Sequence, residues 1–211
     1  QAREQIRLTD VIAPAFYPVH HDIKRGDHVY YDLYGGRGST KSSFISVEIV
    51  HGMMQDPAAN AIVFRKVAST IGTSVFEQVV WAIEALGVGH LWKYTKSPYQ
   101  CTYKPTGQVI MFRGLDYAKK LKSIKVARGY IKYAWFEELD EFNGDEEIRN
   151  VQQSVLRGGP QYFVFKSFNP PISQSNWANK YVLQPRAGAL RHKSCYLDVP
   201  SEWLGEQFID D

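Results

Sequence analysis

A glycine-rich segment near the beginning of the chain separates a predicted strand from a predicted helix. Residues 29–34 are mainly β-branched and aromatic and predict a strand, and the apolar residues within 44–50 predict a helix that stops at Gly52. The intervening residues 35–42 are Gly-Gly-Arg-Gly-Ser-Thr-Lys-Ser. A strand that passes through a glycine loop directly into a helix is typical of α/β folds that bind a ligand at the carboxyl edge of a sheet.

The loop matches the phosphate-binding pattern G-x-x-x-x-G-K-[ST] except that Thr40 replaces the second glycine. In such loops the backbone N–H groups converge on the β-phosphate, so Lys41 would reach the β- and γ-phosphate oxygens and Ser42 would coordinate Mg²⁺. An ordinary glycine turn before a helix is the alternative. The predicted nucleotide-binding residues are Gly35, Gly36, Arg37, Gly38, Ser39, Thr40, Lys41 and Ser42.

An acidic pair follows a strongly apolar predicted strand. Residues 129–136 favour a strand buried on both faces of a parallel sheet, and Glu137 and Glu138 come directly after it. In a phosphate-loop enzyme Glu137 would direct Mg²⁺, a role that Asp usually fills, and Glu138 would polarise the water that attacks the γ-phosphate. The alternative is that both belong to an acidic, solvated surface that continues through residues 140–147.

Three arginines are candidates for stabilising the negative charge that develops during phosphoryl transfer. Arg37 lies inside the loop, Arg65 follows a predicted strand at 61–64, and Arg113 follows a predicted strand at 108–112. An arginine in such a position more often has a surface or structural role, and only one of the three is needed for catalysis. We take Arg37, together with Glu138, as the predicted catalytic residues.

Predicted strands and helices alternate along most of the chain. Ser74, three residues before Glu77, predicts a capping box at the start of a helix that ends at Gly87. Residues 90–113 predict an inserted β-hairpin with strands at 91–94 and 108–112. The remaining elements are a helix at 143–158 and a strand at 162–166. This alternation predicts an α/β fold with a mostly parallel central sheet flanked by helices.

The pattern weakens after residue 171, which suggests three parts. We expect an N-terminal segment at 1–28, a core at 29–171, and a return segment at 172–211 that completes the sheet and begins a linker. The 211 residues suffice for one generous domain. A net charge of +3 predicts no strong general affinity for polyanions, and Cys101 and Cys195 are expected to be reduced thiols.

Four segments together resemble the ATPase domain of the large terminase subunit of tailed bacteriophages. They are the loop at 35–42, Phe-Arg-Gly-Leu-Asp at 112–116 with Leu-Lys-Ser-Ile at 121–124, Trp-Phe-Glu-Glu at 135–138, and Ser-Phe-Asn-Pro at 167–170. The resemblance covers about residues 10–200 and is more specific than the phosphate loop alone. It implies a P-loop NTPase fold of the ASCE-like type, ATP and Mg²⁺ as cofactors, and hydrolysis by Glu138 with Mg²⁺ held by Ser42 and Glu137.

The resemblance also implies a biological role. This domain would hydrolyse ATP to drive double-stranded viral DNA into a procapsid, with the portal protein and the small terminase subunit as partners. It would act as a homo-oligomeric ring in the cytoplasm of the infected bacterial host, away from any membrane. Large subunits of the family also carry a C-terminal nuclease domain, which we expect to lie beyond this chain, so no nuclease activity is expected here.

Two further groups of residues are predicted from position. Because the carboxyl ends of parallel strands line the ligand crevice, Ser167 and Asn169 should emerge beside the phosphate loop and couple ATP hydrolysis to movement, although a strand-ending turn is the alternative. Basic residues after Asp116 predict a DNA-binding patch, although a solvated lysine face is the alternative. The predicted DNA-binding residues are Lys119, Lys120, Lys122 and Lys125.

Two other functions fit the same chemistry. A helicase-like or other nucleic-acid-dependent P-loop ATPase would share the phosphate loop and the acidic pair but produce a different mechanical output. A degenerate P-loop module that binds a nucleotide without hydrolysing it is the non-enzymatic alternative, and Thr40 in place of glycine is the reason to consider it.

Overall fold

The computed structural model describes residues 6–116 and 124–204, and within them eight strands form one sheet. The strands are β1 (Tyr30–Gly35), β2 (Ala59–Arg65), β3 (Trp92–Lys96), β4 (Tyr99–Tyr103), β5 (Gln108–Gly114), β6 (Tyr130–Glu137), β7 (Phe163–Phe168) and β8 (Ala189–Ser194). Their order across the sheet is β3-β4-β5-β2-β6-β7-β1-β8.

The sheet is parallel from β5 to β8 and antiparallel at one edge. β2 pairs in parallel with β5 and β6, β7 with β6 and β1, and β1 with β8, whereas β4 pairs antiparallel with both β3 and β5. The prediction of a mostly parallel α/β sheet with an added hairpin is therefore confirmed. Since β7 lies between β6 and β1, residues that follow β7 emerge between the acidic pair and the glycine loop.

Helices cover both faces of the sheet. They are α1 (Tyr17–Arg25), α2 (Lys41–Gln55), α3 (Val75–Ala85), α4 (Asp145–Val155) and α5 (Trp177–Leu183). Side chains alternate along each strand, so Val63 of β2 belongs to the core cluster that includes residues of α1, α2 and α3, while its neighbour Phe64 belongs to the cluster that includes residues of α4 and α5. Burial on both faces explains why the parallel strands are almost continuously apolar.

Helix α2 is buried around most of its circumference. Phe44, Ile45, Val47 and Ile49 are each at most 1% exposed, and the ring of Phe44 stacks on Phe16 with a centroid distance of 4.7 Å. A helix with apolar contacts on several sides has little freedom to shift along or about its axis. Its first turn, which carries the end of the glycine loop, is therefore held in a fixed place.

Three local predictions are corrected by the structure. The hairpin partner of β3 is β4, which the sequence pattern did not reveal, whereas β5 joins the main sheet beside β2. The capping box at Ser74 does not form, because the Ser74 hydroxyl donates to the Thr70 carbonyl oxygen at 2.5 Å. Residues after 171 contain a helix that was not predicted, α5, in addition to β8, which extends the sheet beside β1.

The structure describes both cysteines and the helices that would have to span a membrane. Cys101 is buried, Cys195 is partly exposed, and both are free thiols. Across residues 6–116 and 124–204, no helix has the length and apolar character needed to cross a membrane.

A lysine is buried between the sheet and α5. Lys166 of β7 is 2% exposed, and burial lowers the pKa of its ammonium group from 10.5 to about 8. Its Nζ atom donates to the hydroxyl of Tyr181 and lies 5.1 Å from the ring centroid of Tyr30. Aromatic faces and one hydroxyl replace only part of the hydration that the charged group loses.

We expect Lys166→Met to be more stable than the parental chain at neutral pH, by an amount that shrinks as the pH rises from 8 to 10.5. Below pH 8 the ammonium is charged in the folded and unfolded states, and the folded state carries a penalty of about 3 kcal/mol. Between these pKa values only the unfolded chain keeps the proton, so the parental fold gains stability with rising pH. Urea unfolding from pH 7 to 10 measures the difference.

Lys180→Met is the matched control, because Lys180 lies on α5 and is exposed. Its effect on the free energy of unfolding should not vary over the same pH range. A Lys166→Met effect of constant size at every pH would contradict a charged lysine in the folded interior at neutral pH.

Candidate active site

The glycine loop leaves β1 in a conformation that only small residues adopt easily. Gly35 and Gly38 have φ values of 145° and 73°. A Cβ atom on Gly35 would lie 1.8 Å from the carbonyl oxygen of Ser194, so the approach of β8 leaves no room for a side chain there. These contacts fix where the loop begins, beside the end of β8.

Thr40 keeps the backbone conformation that glycine usually provides at its position. Its φ and ψ values are 58° and 21°, in the left-handed region, and it is the residue that immediately precedes α2. For a β-branched residue this conformation costs on the order of 1–2 kcal/mol. The departure from the phosphate-loop pattern therefore introduces strain without changing the path of the loop.

The side chain of Lys41 lies folded within the loop. It is 7% exposed, and burial lowers the pKa of its ammonium group. Nζ donates to the carbonyl oxygens of Gly35 and Gly36 at 3.2 and 3.0 Å and to the Ser39 hydroxyl at 2.8 Å. It also donates to Oδ1 of Asn169 at 3.0 Å, across 128 residues of sequence. The loop lysine and the segment after β7 are thus in direct contact.

Glu137 connects the loop to two neighbouring strands. Its carboxylate accepts a hydrogen bond from the Ser42 hydroxyl at 2.6 Å and another from the Ser167 hydroxyl. The indole nitrogen of Trp135 donates to the Ser167 oxygen at 2.7 Å and orients it. Burial raises the pKa of the Glu137 carboxyl, and the hydroxyl donors and Lys41 oppose that shift.

Ser42 and Glu137 are suited to a magnesium ion by their chemistry. Both present hard oxygen donors at one point, and magnesium at phosphate loops completes its octahedron with phosphate oxygens and water. Within the described ranges, no three His, Cys, Asp or Glu side chains gather into a metal-binding cluster. The Ser42–Glu137 pair is therefore the candidate protein contribution to such a site.

Glu138 departs from the strand direction immediately after Glu137. Its backbone is left-handed, with φ 55° and ψ 61°, which turns the chain out of β6. Burial and the neighbouring Glu137 charge raise the pKa of the Glu138 carboxyl to about 7, although Arg65 opposes the shift. A partly buried carboxyl with a pKa near neutrality is typical of groups that exchange protons with a substrate or water.

Two adjoining cavities surround these residues. The smaller, about 390 Å³, is lined by the loop, Ser167 and Asn169, and the larger, about 840 Å³, is lined by Arg65 and residues of α3. Thr40, Ser42, Glu137 and Glu138 line both. The structure thus brings together the predicted phosphate loop, the acidic pair and the predicted coupling residues. Arg37 is exposed and lines only the smaller cavity.

Besides Ser43, which directly follows the loop, sequence reasoning missed two residues that line both cavities. Gln78 of α3 lies with its Nε2 atom 3.5 Å from the Ser43 hydroxyl oxygen, and Trp203 approaches from the C-terminal segment. Gln78 lies within an apolar helical stripe and Trp203 in a segment without periodicity, so neither had a recognisable pattern. Proximity to the loop depends on how α3 and the C-terminal segment pack.

The predicted DNA-binding lysines are largely outside the described residues. Lys119, Lys120 and Lys122 fall in the undescribed range 117–123, as residues 121–123 of the resemblance also do. Lys125 is exposed, as is Arg128. Lys125 is therefore the one predicted DNA-binding lysine that lies within the described residues, and its side chain is exposed.

Comparisons with known proteins agree with this arrangement. The sequence model of the family described as phage terminase large subunit matches residues 27–211. The chain is 40% identical over 214 residues to the large terminase subunit of Bacillus phage SPP1, an alignment that covers 99% of this chain and 50% of that protein. The chain therefore spans about half the length of this relative.

Solved structures show the same fold at low sequence identity. The large terminase of a thermophilic bacteriophage, in complex with ADP, superposes with a TM-score of 0.68 at 13% identity, covering 94% of this chain and 48% of that one. The N-terminal domain of the DNA packaging ATPase from bacteriophage phi29 superposes with a TM-score of 0.60 at 14% identity, and the match covers 84% of this chain and 96% of that one. Because the family model matches most of its length, this chain belongs to the phage terminase large-subunit family.

Proposed function

We propose that this chain is a Mg²⁺-dependent ATPase that powers the translocation of double-stranded viral DNA into a procapsid. The observation that carries the proposal is the pair of contacts Lys41–Asn169 and Ser42–Glu137, which join the loop to the ends of β7 and β6. These contacts support the proposal because Lys41, the Ser42–Glu137 pair and Asn169 lie together at one edge of the sheet. Family membership supplies the expected output of the cycle.

Each residue has a separate role in the proposed hydrolysis. Lys41 and the backbone N–H groups of residues 35–42 hold the phosphates, and Ser42 and Glu137 hold the magnesium ion. An ion held by Ser42 and Glu137 would supply positive charge that offsets the negative charge of the phosphates. Glu138 accepts the proton of the attacking water as a general base. Arg37, inside the loop, stays the predicted source of positive charge for the transition state.

Asn169 is the proposed coupling residue. Its side-chain oxygen holds the ammonium group of Lys41, and Ser167, two residues earlier, donates to Glu137. A bound nucleotide would compete with Asn169 for Lys41 and change the contacts at the end of β7. A ligand shifts a conformational equilibrium only through contacts that differ between the two states, and this contact meets that requirement.

The remaining roles of the motor follow from the family. We propose double-stranded DNA, the portal protein and the small terminase subunit as partners, a homo-oligomeric ring as the assembled form, and the host cytoplasm as the place of action. Residues 29–171 would form the ATPase core, residues 1–28 an N-terminal segment, and residues 172–211 the return of the chain into a linker. Thr40 does not favour a non-hydrolysing module, because the loop keeps its left-handed turn.

We expect Lys41→Ala to weaken ATP binding, because it removes the charge that faces the phosphates. Glu138→Gln should bind ATP normally and lose turnover by about 10²- to 10⁴-fold, because it removes the base. Phosphate release with and without Mg²⁺ and DNA, alongside nucleotide titration, measures both. Glu146→Gln, an exposed change on α4, is the matched control. Hydrolysis at the parental rate by Glu138→Gln would show that Glu138 is not the base.

We expect Asn169→Ala in the full-length motor to retain nucleotide affinity within about threefold and to lose DNA translocation much more strongly. The reason is that the substitution removes the Lys41 contact and leaves the loop in place. Packaging of DNA into procapsids measures the output. Asn179→Ala is the control, because Asn179 Nδ2 supports the same segment through the Pro171 carbonyl oxygen at 2.9 Å without contacting Lys41. Packaging at the parental rate by Asn169→Ala would mean that Asn169 is only a turn residue.

We expect DNA binding to weaken with rising salt, to be independent of sequence, and to decrease when Lys120, Lys122 and Lys125 are all changed to Glu. Each lost phosphate contact should reduce the slope of log affinity against log salt by about 0.9. A control with the same change in net charge reverses Lys93, Lys96 and Lys104, which are exposed on the antiparallel edge. Salt-independent binding, or equal effects of the two triple variants, would exclude the predicted patch.

A further inference from the structure

Arg65 ends the strand next to the acidic pair. It is the last residue of β2, and the register Phe64 to Phe136 places it at the level of Glu137 on β6. Only 8% of the residue is exposed, and it lines the larger cavity together with Ser42 and Glu138. A buried guanidinium group thus faces the cavity that also holds the candidate magnesium ligand and the candidate base.

The guanidinium group is only partly engaged. Its Nη2 atom donates to Oε2 and Oε1 of Glu141 at 3.2 and 3.3 Å, and the Glu141 side chain is 40% exposed. Its Nε atom is buried and has no hydrogen-bond partner among the described residues. A buried donor without an acceptor is unfavourable, and a guanidinium group uses its edges to bind planar or tetrahedral oxyanions. Arg65 therefore lines the cavity with a guanidinium group that has one donor without a partner.

Neighbouring cations are placed differently. Lys66, the next residue, is bonded to Glu147 at 2.6 Å and does not line the cavity, and Nη1 of Arg113 donates to the carbonyl oxygen of Phe112. Arg37 is exposed on the loop. Of the three arginines that the sequence offers, Arg65 is the one that shares the larger cavity with Ser42, Glu137 and Glu138.

We propose that Arg65 binds the terminal phosphate of ATP, and that Glu141 is the alternative partner that holds it when that phosphate is missing. This inference rests on the proposed ATPase function and adds a specificity-determining residue to it. ADP lacks the phosphate that would take Arg65 from Glu141, so Arg65 discriminates ATP from ADP. Removal of Arg65 and release of Arg65 by neutralising Glu141 then have opposite effects on ATP affinity.

The test compares the affinities of the parental chain and its variants for Mg²⁺ with ADP and with the β,γ-imido analogue of ATP, by calorimetric titration. Arg65→Gln should lower the affinity for the ATP analogue by about tenfold or more and change the affinity for ADP by less than about twofold. Glu141→Gln should raise the affinity for the ATP analogue by about threefold and leave the affinity for ADP unchanged. Because Glu141 is exposed, Glu141→Gln should fold, and it tests the inference even if Arg65→Gln does not fold.

Lys66→Ala is the matched control, since it removes an adjacent, partly buried ion pair outside the cavity. It should leave the ratio of the two affinities at the parental value. An unchanged ratio in Glu141→Gln, or an equal loss of both affinities in a folded Arg65→Gln, would overturn the inference while leaving the ATPase proposal intact. A parental chain that binds neither nucleotide would overturn both.

Discussion

The contact chain from Ser42 through Glu137 to Ser167 ties together α2, β6 and β7 at the point where all three meet. A carboxylate drawn away from water needs donors, and both hydroxyls supply them. The donor from β7 is itself fixed by the Trp135 indole. Movement of the loop relative to either strand would leave a partly buried carboxylate short of partners. The geometry of the whole site therefore depends on this one acceptor.

The packing around this chain allows the loop to carry strain. Thr40 holds a left-handed conformation, and Glu138, which lines the same cavities, holds another. Such residues persist only where their surroundings determine the backbone more strongly than their own preferences do. The buried α2 on one side and the close approach of Ser194 to Gly35 on the other provide that constraint. Rigid elements on both sides of the loop thus hold Thr40 in its unfavourable backbone conformation.

Local patterns predicted the elements, and long-range packing decided how they meet. The loop at 35–42 and the Glu137–Glu138 pair were predictable because strand, turn and helix signals lie within a few residues of each other. The insertion of β7 between β6 and β1 has no local signal, and the expected position of Asn169 beside the loop did not specify its contact with Lys41. The missed strand β4 is short and mixed in polarity, and its place depends on pairing with β3 and β5.

Lys41 and Arg65 are both buried cations, each with a partner that follows a strand end, an arrangement that suits a nucleotide-dependent motor. Each is a largely buried cation that has a partner beyond the end of a strand, Asn169 after β7 for Lys41 and Glu141 after β6 for Arg65. Since these cations are already removed from water, an incoming phosphate oxygen exchanges partners with little further desolvation of the protein side. In the proposed function, that exchange of partners releases the segments that follow β7 and β6, which are adjacent strands. The bound phosphate and the chain beyond the sheet then compete for the same donors, so hydrolysis changes both contacts together.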